Sequence, residues 1–151
     1  MKNIKEVLNK RLEKVIAHFK ALKEYKEFIE NLGDIYNVKD FEKLNLQERA
    51  VLEAYLKRFA SLQDYLGAKV FPLLLENKGI IANRMSEVIS VIEKEGIIDL
   101  DIWIKFRQVR NELEHDYPDD LEEALEDLKY CIDNFDKMEK IVKKVFDYAK
   151  T

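Results

Sequence analysis

Apolar residues recur at three- and four-residue spacing along most of this chain, which is the pattern of a helix that buries one side. The first such stripe runs from Ile4 to Ile29 and stops ahead of Gly33, and further stripes follow it. Only four glycines and two prolines interrupt the 151 residues, and strands have little support. We therefore expect an all-α fold.

The second and third helices carry local start and stop signals. Asn45 is a candidate N-cap with Glu48 three residues on, which is the signature of a capping box. This helix is predicted to run to about Glu76, with a bend or an altered end near Pro72 because proline removes a backbone donor. A shorter third helix follows and is stopped by Gly96.

Two more helices complete the chain. The fourth is predicted to begin after the candidate cap Asp99 and to end before Pro118, because the residue preceding a proline resists the helical conformation. The fifth is predicted to open at Pro118 and to end near Tyr148. We expect a single domain over residues 1–151, built as an antiparallel up-and-down bundle of about five helices.

Composition excludes several classes of function. No apolar run reaches the length of about 20 residues that spans a bilayer, and the first residues lack a signal-peptide core, so a cytoplasmic protein without membrane contact is expected. A net charge of −4 argues against a general nucleic-acid coat. The one cysteine, Cys131, forms neither an internal disulfide nor a thiolate cluster, and we expect no metal and no cofactor.

One short motif concentrates chemically useful side chains at the end of the predicted fourth helix. Arg110 and Asn111 are followed by His115 and Tyr117 in the pattern R-N-x-x-x-H-x-Y. Histidine exchanges protons near neutral pH, arginine binds phosphate through paired hydrogen bonds, and a tyrosine hydroxyl accepts a transferred group. Asn111 and His115 are four residues apart and share one side of the helix, with Arg110 about 100° around from Asn111. The motif therefore suits phosphodiester chemistry in a groove that the three residues flank.

Purely structural interpretations of the same residues stay open at this point. Arg110 can form a salt bridge with Glu114 one turn on. His115 can cap the helix C-terminus, and Tyr117 can pack beneath the turn that follows.

The motif resembles the R-x4-6-H motif of HEPN-domain proteins, and Tyr117 makes it similar to the HepT branch, toxins encoded beside a minimal nucleotidyltransferase (MNT) antitoxin. The segments 55–59 and 62–67 also resemble the second helix of that family. The resemblance implies a homodimeric, metal-independent ribonuclease whose site forms where two subunits pair. It also implies that the MNT partner adds AMP to Tyr117 and so blocks RNA.

The resemblance assigns a role to each residue of the motif. His115 deprotonates the RNA 2′-hydroxyl or protonates the leaving 5′-oxygen, Arg110 stabilises the charged phosphate, and Asn111 orients the phosphate or the histidine. The chain departs from the family in the acids Glu112, Glu114 and Asp116 around His115, whose charge would repel an RNA backbone.

Positive charge near the motif has three candidate sources for substrate binding, namely Arg58, Lys105 and Arg107. The alternative to a nuclease is a non-catalytic HEPN subunit that binds a substrate or nucleotide for a nucleotidyltransferase. A helical scaffold in which the motif has no function is the third interpretation.

Overall fold

The computed structural model describes residues 3–116 and 119–151, and every regular element among them is helical. One π-helical turn lies at Leu66–Val70. The α-helices of the described residues are α1 (Ile4–Glu30), α2 (Val38–Glu42), α3 (Leu46–Tyr65), α4 (Phe71–Asn77), α5 (Met85–Lys94), α6 (Leu100–Asp116), α7 (Leu121–Asp133) and α8 (Phe135–Lys150). The all-α prediction is confirmed, although the helical segments outnumber the five that were expected.

The predicted start and stop signals operate as expected. The Asn45 side chain accepts a hydrogen bond from the Glu48 amide, and the Glu48 carboxylate accepts one from the Asn45 amide, which completes the capping box of α3. Asp99 accepts bonds from the Asp101 and Ile102 amides at the start of α6. Gly33 and Gly96 follow α1 and α5 with φ values of +76° and +80°, a conformation that favours glycine.

The helix is irregular close to Pro72, where the sequence predicted a bend or an altered end. Helices α3 and α4 are joined through the π-helical turn without an intervening loop, and the Phe71 amide donates to the Leu66 carbonyl five residues back. Proline has no amide hydrogen to donate and its ring crowds the preceding turn, so the wider turn is accommodated just ahead of it. We call the segment from α3 to α4 the α3–α4 rod.

One predicted helix is interrupted, and one short helix was not predicted. The last helix is not continuous: Asn134, in a non-helical conformation, donates from its side chain and its amide to the Tyr130 carbonyl, and the break separates α7 from α8. The short helix α2 was missed, although Asn37 caps it by accepting from the Asp40 amide. Pro118 lies outside the described residues, and α7 begins at Leu121 with Asp120 as its cap.

Helix α1 packs antiparallel to the α3–α4 rod, and the buried apolar side chains form one connected core. The Arg11 side chain of α1 donates to the Lys69 carbonyl, whereas His18 further along α1 contacts Arg58, which lies earlier in the α3–α4 rod. Aromatic contacts show that α6 also runs antiparallel to the α3–α4 rod. Trp103 lies against Phe71 and Phe106 against Phe59, with centroid separations of 5.1 and 5.0 Å. Phe106 also lies 6.1 Å from Tyr130 of α7 between ring centroids, so α6 lies between the α3–α4 rod and α7.

Candidate functional site

The buried side of α6 determines the direction of every motif residue. Trp103, Phe106, Val109 and Leu113 are buried, as their spacing predicted, and Ile102 is partly buried. The Gln63 side chain, itself buried, donates to the Trp103 carbonyl and adds a polar connection between α3 and α6. With this side committed to the core, the opposite side of α6 faces solvent.

That opposite side carries two of the three motif residues of the described chain. We define the α6 outer face as the exposed residues Ile104, Arg107, Gln108, Asn111 and His115. Asn111 and His115 lie one turn apart on it. Neither side chain forms a hydrogen bond or an ion pair with any residue that the structure describes. Both side chains are exposed to solvent.

Arg110 points elsewhere. Its Nη1 donates to the Ala60 carbonyl at 2.8 Å and its Nη2 to Asp64 Oδ1 at 2.6 Å, so the guanidinium is held against α3. The side chain is 11% exposed, and its buried Nε has no hydrogen-bond partner. Arg110 is separated from His115 by about 140° around the helix axis. The structure thus brings Asn111 and His115 together but places Arg110 beside a different surface.

That surface is a groove of about 590 Å³ between α2, α3, α6 and α7. Its walls combine apolar side chains from all four helices with charged groups on α3 and α6, and the principal residues are Phe41, Leu52, Leu56, Leu113, Leu125, Leu128, Arg49, Glu53, Lys57, Asp64, Arg110 and Glu114. We call it the Arg110 groove. Neither Asn111 nor His115 lines it.

The three cations expected to assist substrate binding are distributed over different surfaces. Arg107 lies on the α6 outer face, one turn before Asn111. Lys105 lies with its Nζ 5.6 Å from the centre of the Tyr130 ring, on the side of α6 next to α7. Arg58 contacts His18 on α1, with 3.0 Å between Nη1 and Nδ1. Of the three cations, Arg107 alone shares the α6 outer face.

Asp64 is the functional candidate that sequence reasoning missed. Local spacing offered Glu114, one turn along the same helix, as a possible partner for Arg110, whereas the structure pairs Arg110 with an acid 46 residues earlier. No local pattern reports such a contact, because it depends on how α3 and α6 face each other. Tyr117 lies outside the described residues.

Other classes of site find no support in the part of the chain that the structure describes. No group of three or more histidine, cysteine, aspartate or glutamate side chains there has the arrangement of a metal site. No described helix is long and apolar enough to cross a membrane.

No protein-family model, curated protein or solved structure matches this chain.

Proposed function

We propose that this protein is a HepT-type ribonuclease that cleaves RNA by acid–base chemistry at His115. The observation that carries the proposal is the α6 outer face, where Asn111 and His115 are exposed, one turn apart and without partners among the described residues. Histidine exchanges protons near neutral pH, so an exposed imidazole one turn from the Asn111 side chain suits proton transfer to and from a bound substrate.

The proposed reaction is transesterification within the RNA strand. His115 takes the proton of the 2′-hydroxyl, whose oxygen attacks the adjacent phosphorus. The bond from phosphorus to the 5′-oxygen breaks, and that oxygen leaves with a proton supplied by an imidazolium. The products are a 2′,3′-cyclic phosphate and a 5′-hydroxyl. Asn111 orients the phosphate, and Arg110 stabilises its developing charge once it leaves α3.

Two histidines are needed for simultaneous base and acid roles, and the α6 outer face carries one per chain. A two-fold dimer through this face supplies both, because such an interface places the same patch of each copy against the other. Ile104, on the same face, is 52% exposed and offers apolar area for that contact. We therefore propose that the active form is a homodimer.

Control of the nuclease is proposed to lie with an MNT nucleotidyltransferase that transfers AMP to Tyr117. Tyr117 follows His115 by two residues. The added phosphate charge and adenine there would exclude RNA from the site.

A second candidate function is supported by the Arg110 groove. A groove of about 590 Å³ whose walls combine apolar side chains with six charged residues has the size of a small-molecule site. In this alternative the chain binds a nucleotide or substrate for a nucleotidyltransferase and does no chemistry itself.

The first experiment measures cleavage of fluorescent mixed-sequence single-stranded RNA in the presence of EDTA. We expect His115→Ala to reduce the rate by about a hundredfold or more, because proton transfer by a positioned side chain contributes at least that factor. His18→Ala, which removes the other histidine, is the matched control and retains cleavage. Equal rates for wild type and His115→Ala would reject the nuclease, and nucleotide binding lost in Arg110→Ala would then favour the second candidate.

A second arm of this experiment tests the control step. The chain is incubated with the cognate nucleotidyltransferase, ATP and magnesium, and its intact mass is measured. We expect adducts in multiples of AMP that Tyr117→Phe abolishes and that suppress RNA cleavage. A partner that is active on another substrate but leaves this chain unmodified would contradict the proposed control.

A further inference from the structure

The contact between Arg110 and Asp64 joins a motif residue to a helix distant in sequence. Two guanidinium nitrogens bind acceptors on α3, the Ala60 carbonyl and the Asp64 carboxylate. Hydrogen bonds between a guanidinium and a carboxylate are stronger than bonds between neutral groups. The contact therefore controls where the positive charge of Arg110 lies.

A carboxylate and a phosphate bind arginine in the same way, because both accept hydrogen bonds from its planar set of donors. Asp64 in this structure occupies a donor that an RNA phosphate would use. The Arg110 side chain is 11% exposed in this position, which leaves little of it accessible to a phosphate bound at the α6 outer face.

We propose that Asp64 is a restraining residue that holds Arg110 in the groove until an RNA phosphate replaces its carboxylate. This inference rests on the proposed nuclease function and adds a step to it. Binding of RNA draws Arg110 out of the α3 contact toward His115, and the charge needed in the transition state arrives with the substrate. A chain without RNA keeps that charge withdrawn.

The two ends of the contact differ in a way that makes the exchange feasible. Asp64 is 66% exposed, so its carboxylate becomes fully hydrated at little cost when Arg110 departs. Arg110 Nε is buried without a hydrogen-bond partner among the described residues, and release of the side chain lets this nitrogen bind water. The bonds to Asp64 and Ala60 hold Arg110 against α3, and loss of the Asp64 carboxylate shifts the balance toward release.

RNA cleavage by Asp64 variants tests the restraint. We expect Asp64→Ala to raise kcat/KM by about tenfold, corresponding to the loss of one charge-assisted hydrogen bond from the restrained state. Asp64→Asn, which keeps an acceptor but removes the charge, should give a smaller increase. Glu76→Ala removes an exposed acid elsewhere on the α3–α4 rod and leaves the rate unchanged. Circular dichroism and thermal unfolding establish that each variant is folded.

Labelling with phenylglyoxal reports the position of Arg110 independently of cleavage. Peptide mass spectrometry compares Arg110 with the exposed Arg107 on the same helix. In wild type we expect slow labelling of Arg110 relative to Arg107, and in Asp64→Ala the two rates should approach each other. Saturating non-cleavable 2′-O-methyl RNA should make labelling of Arg110 slow in both proteins. In its presence the RNA strand, rather than Asp64, shields the guanidinium.

The outcomes separate failure of the restraint from failure of the nuclease. Wild-type cleavage that depends on His115, combined with equal or slower cleavage by Asp64→Ala, overturns the restraint and leaves the nuclease standing. Rapid labelling of Arg110 in wild type also overturns the restraint. Absence of His115-dependent cleavage in every variant removes the nuclease, and the restraint with it.

Discussion

The contacts of His18 with Arg58 and Tyr65 define its role in the fold. Its Nδ1 accepts a hydrogen bond from Arg58 Nη1, which requires the neutral ring. Partial burial lowers the pKa of His18 below its ordinary 6.5, and the nearby charges of Arg58 and Lys14 lower it further. The ring also lies against Tyr65. His18 therefore belongs to the packing of α1 against α3.

The lowered pKa predicts how stability changes with pH. The unfolded chain binds a proton at His18 more readily than the folded chain, so this residue lowers stability as pH falls below about 6.5 and has no such effect above it. We expect the melting temperature of His18→Gln to fall less than that of wild type between about pH 7.5 and pH 5. Parallel profiles for wild type and His18→Gln would contradict this account.

At the scale of the helical elements, two glycines have opposite roles. Gly96 ends α5 with φ of +80°, and the Ile97 amide donates to the Ile92 carbonyl in the pattern of a Schellman turn. Gly67 lies within the π-helical turn of the α3–α4 rod, where an added Cβ would be 3.5 Å from Trp103, an ordinary contact. The first position needs glycine for its backbone, whereas the second does not.

Alanine at these two positions should change stability in opposite directions. Gly96→Ala is expected to destabilise the fold by about 1 kcal/mol, because a left-handed backbone crowds a Cβ atom. Gly67→Ala is expected to stabilise it by up to about 1 kcal/mol, because the unfolded chain loses conformational freedom while the methyl group fits. Urea denaturation of both variants gives the two free energies. A destabilised Gly67→Ala would show that Trp103 has no room to accept the methyl group.

At the scale of the whole molecule, two exposed isoleucines lie on different surfaces. Ile104 lies on the α6 outer face among polar motif residues, whereas Ile81, 85% exposed, lies in the connection between α4 and α5. Scattered exposed isoleucines are common on protein surfaces. Ile104 differs because the proposed dimer interface passes through its face.

A charge at position 104 should therefore disrupt the assembly. We expect multi-angle light scattering to give the mass of two chains for wild type at tens of micromolar, and the mass of one chain for Ile104→Glu. Burial of an isoleucine contributes about 1.5–3 kcal/mol, and an unpaired carboxylate in the same place is unfavourable. Ile81→Glu is the matched control and should remain dimeric. A wild-type monomer would reject the dimer, and a dimeric Ile104→Glu would move its interface away from α6.

Sequence reasoning predicted the features of this fold that depend on neighbouring residues. The buried side of α6, the capping box of Asn45 and the end of α5 at Gly96 each involve groups within a few positions of one another. Helix α2 was within reach of the same reasoning, since Asn37 and Asp40 have the spacing of a cap. The break at Asn134 was missed because the apolar spacing continues through it from Leu128 to Met138, and periodicity alone does not report a side chain that competes for a backbone carbonyl.

The sequence by itself determined that this protein is helical, which side of α6 is buried, and that Asn111 and His115 share one side of that helix, because these properties follow from the 3.6-residue period of the backbone. Only the tertiary structure decided that Arg110 faces Asp64, that Arg58 faces His18 and that a groove forms between α2, α3, α6 and α7. The physical reason is that a long side chain has several accessible conformations. The one it adopts depends on the acceptors that distant helices bring within reach.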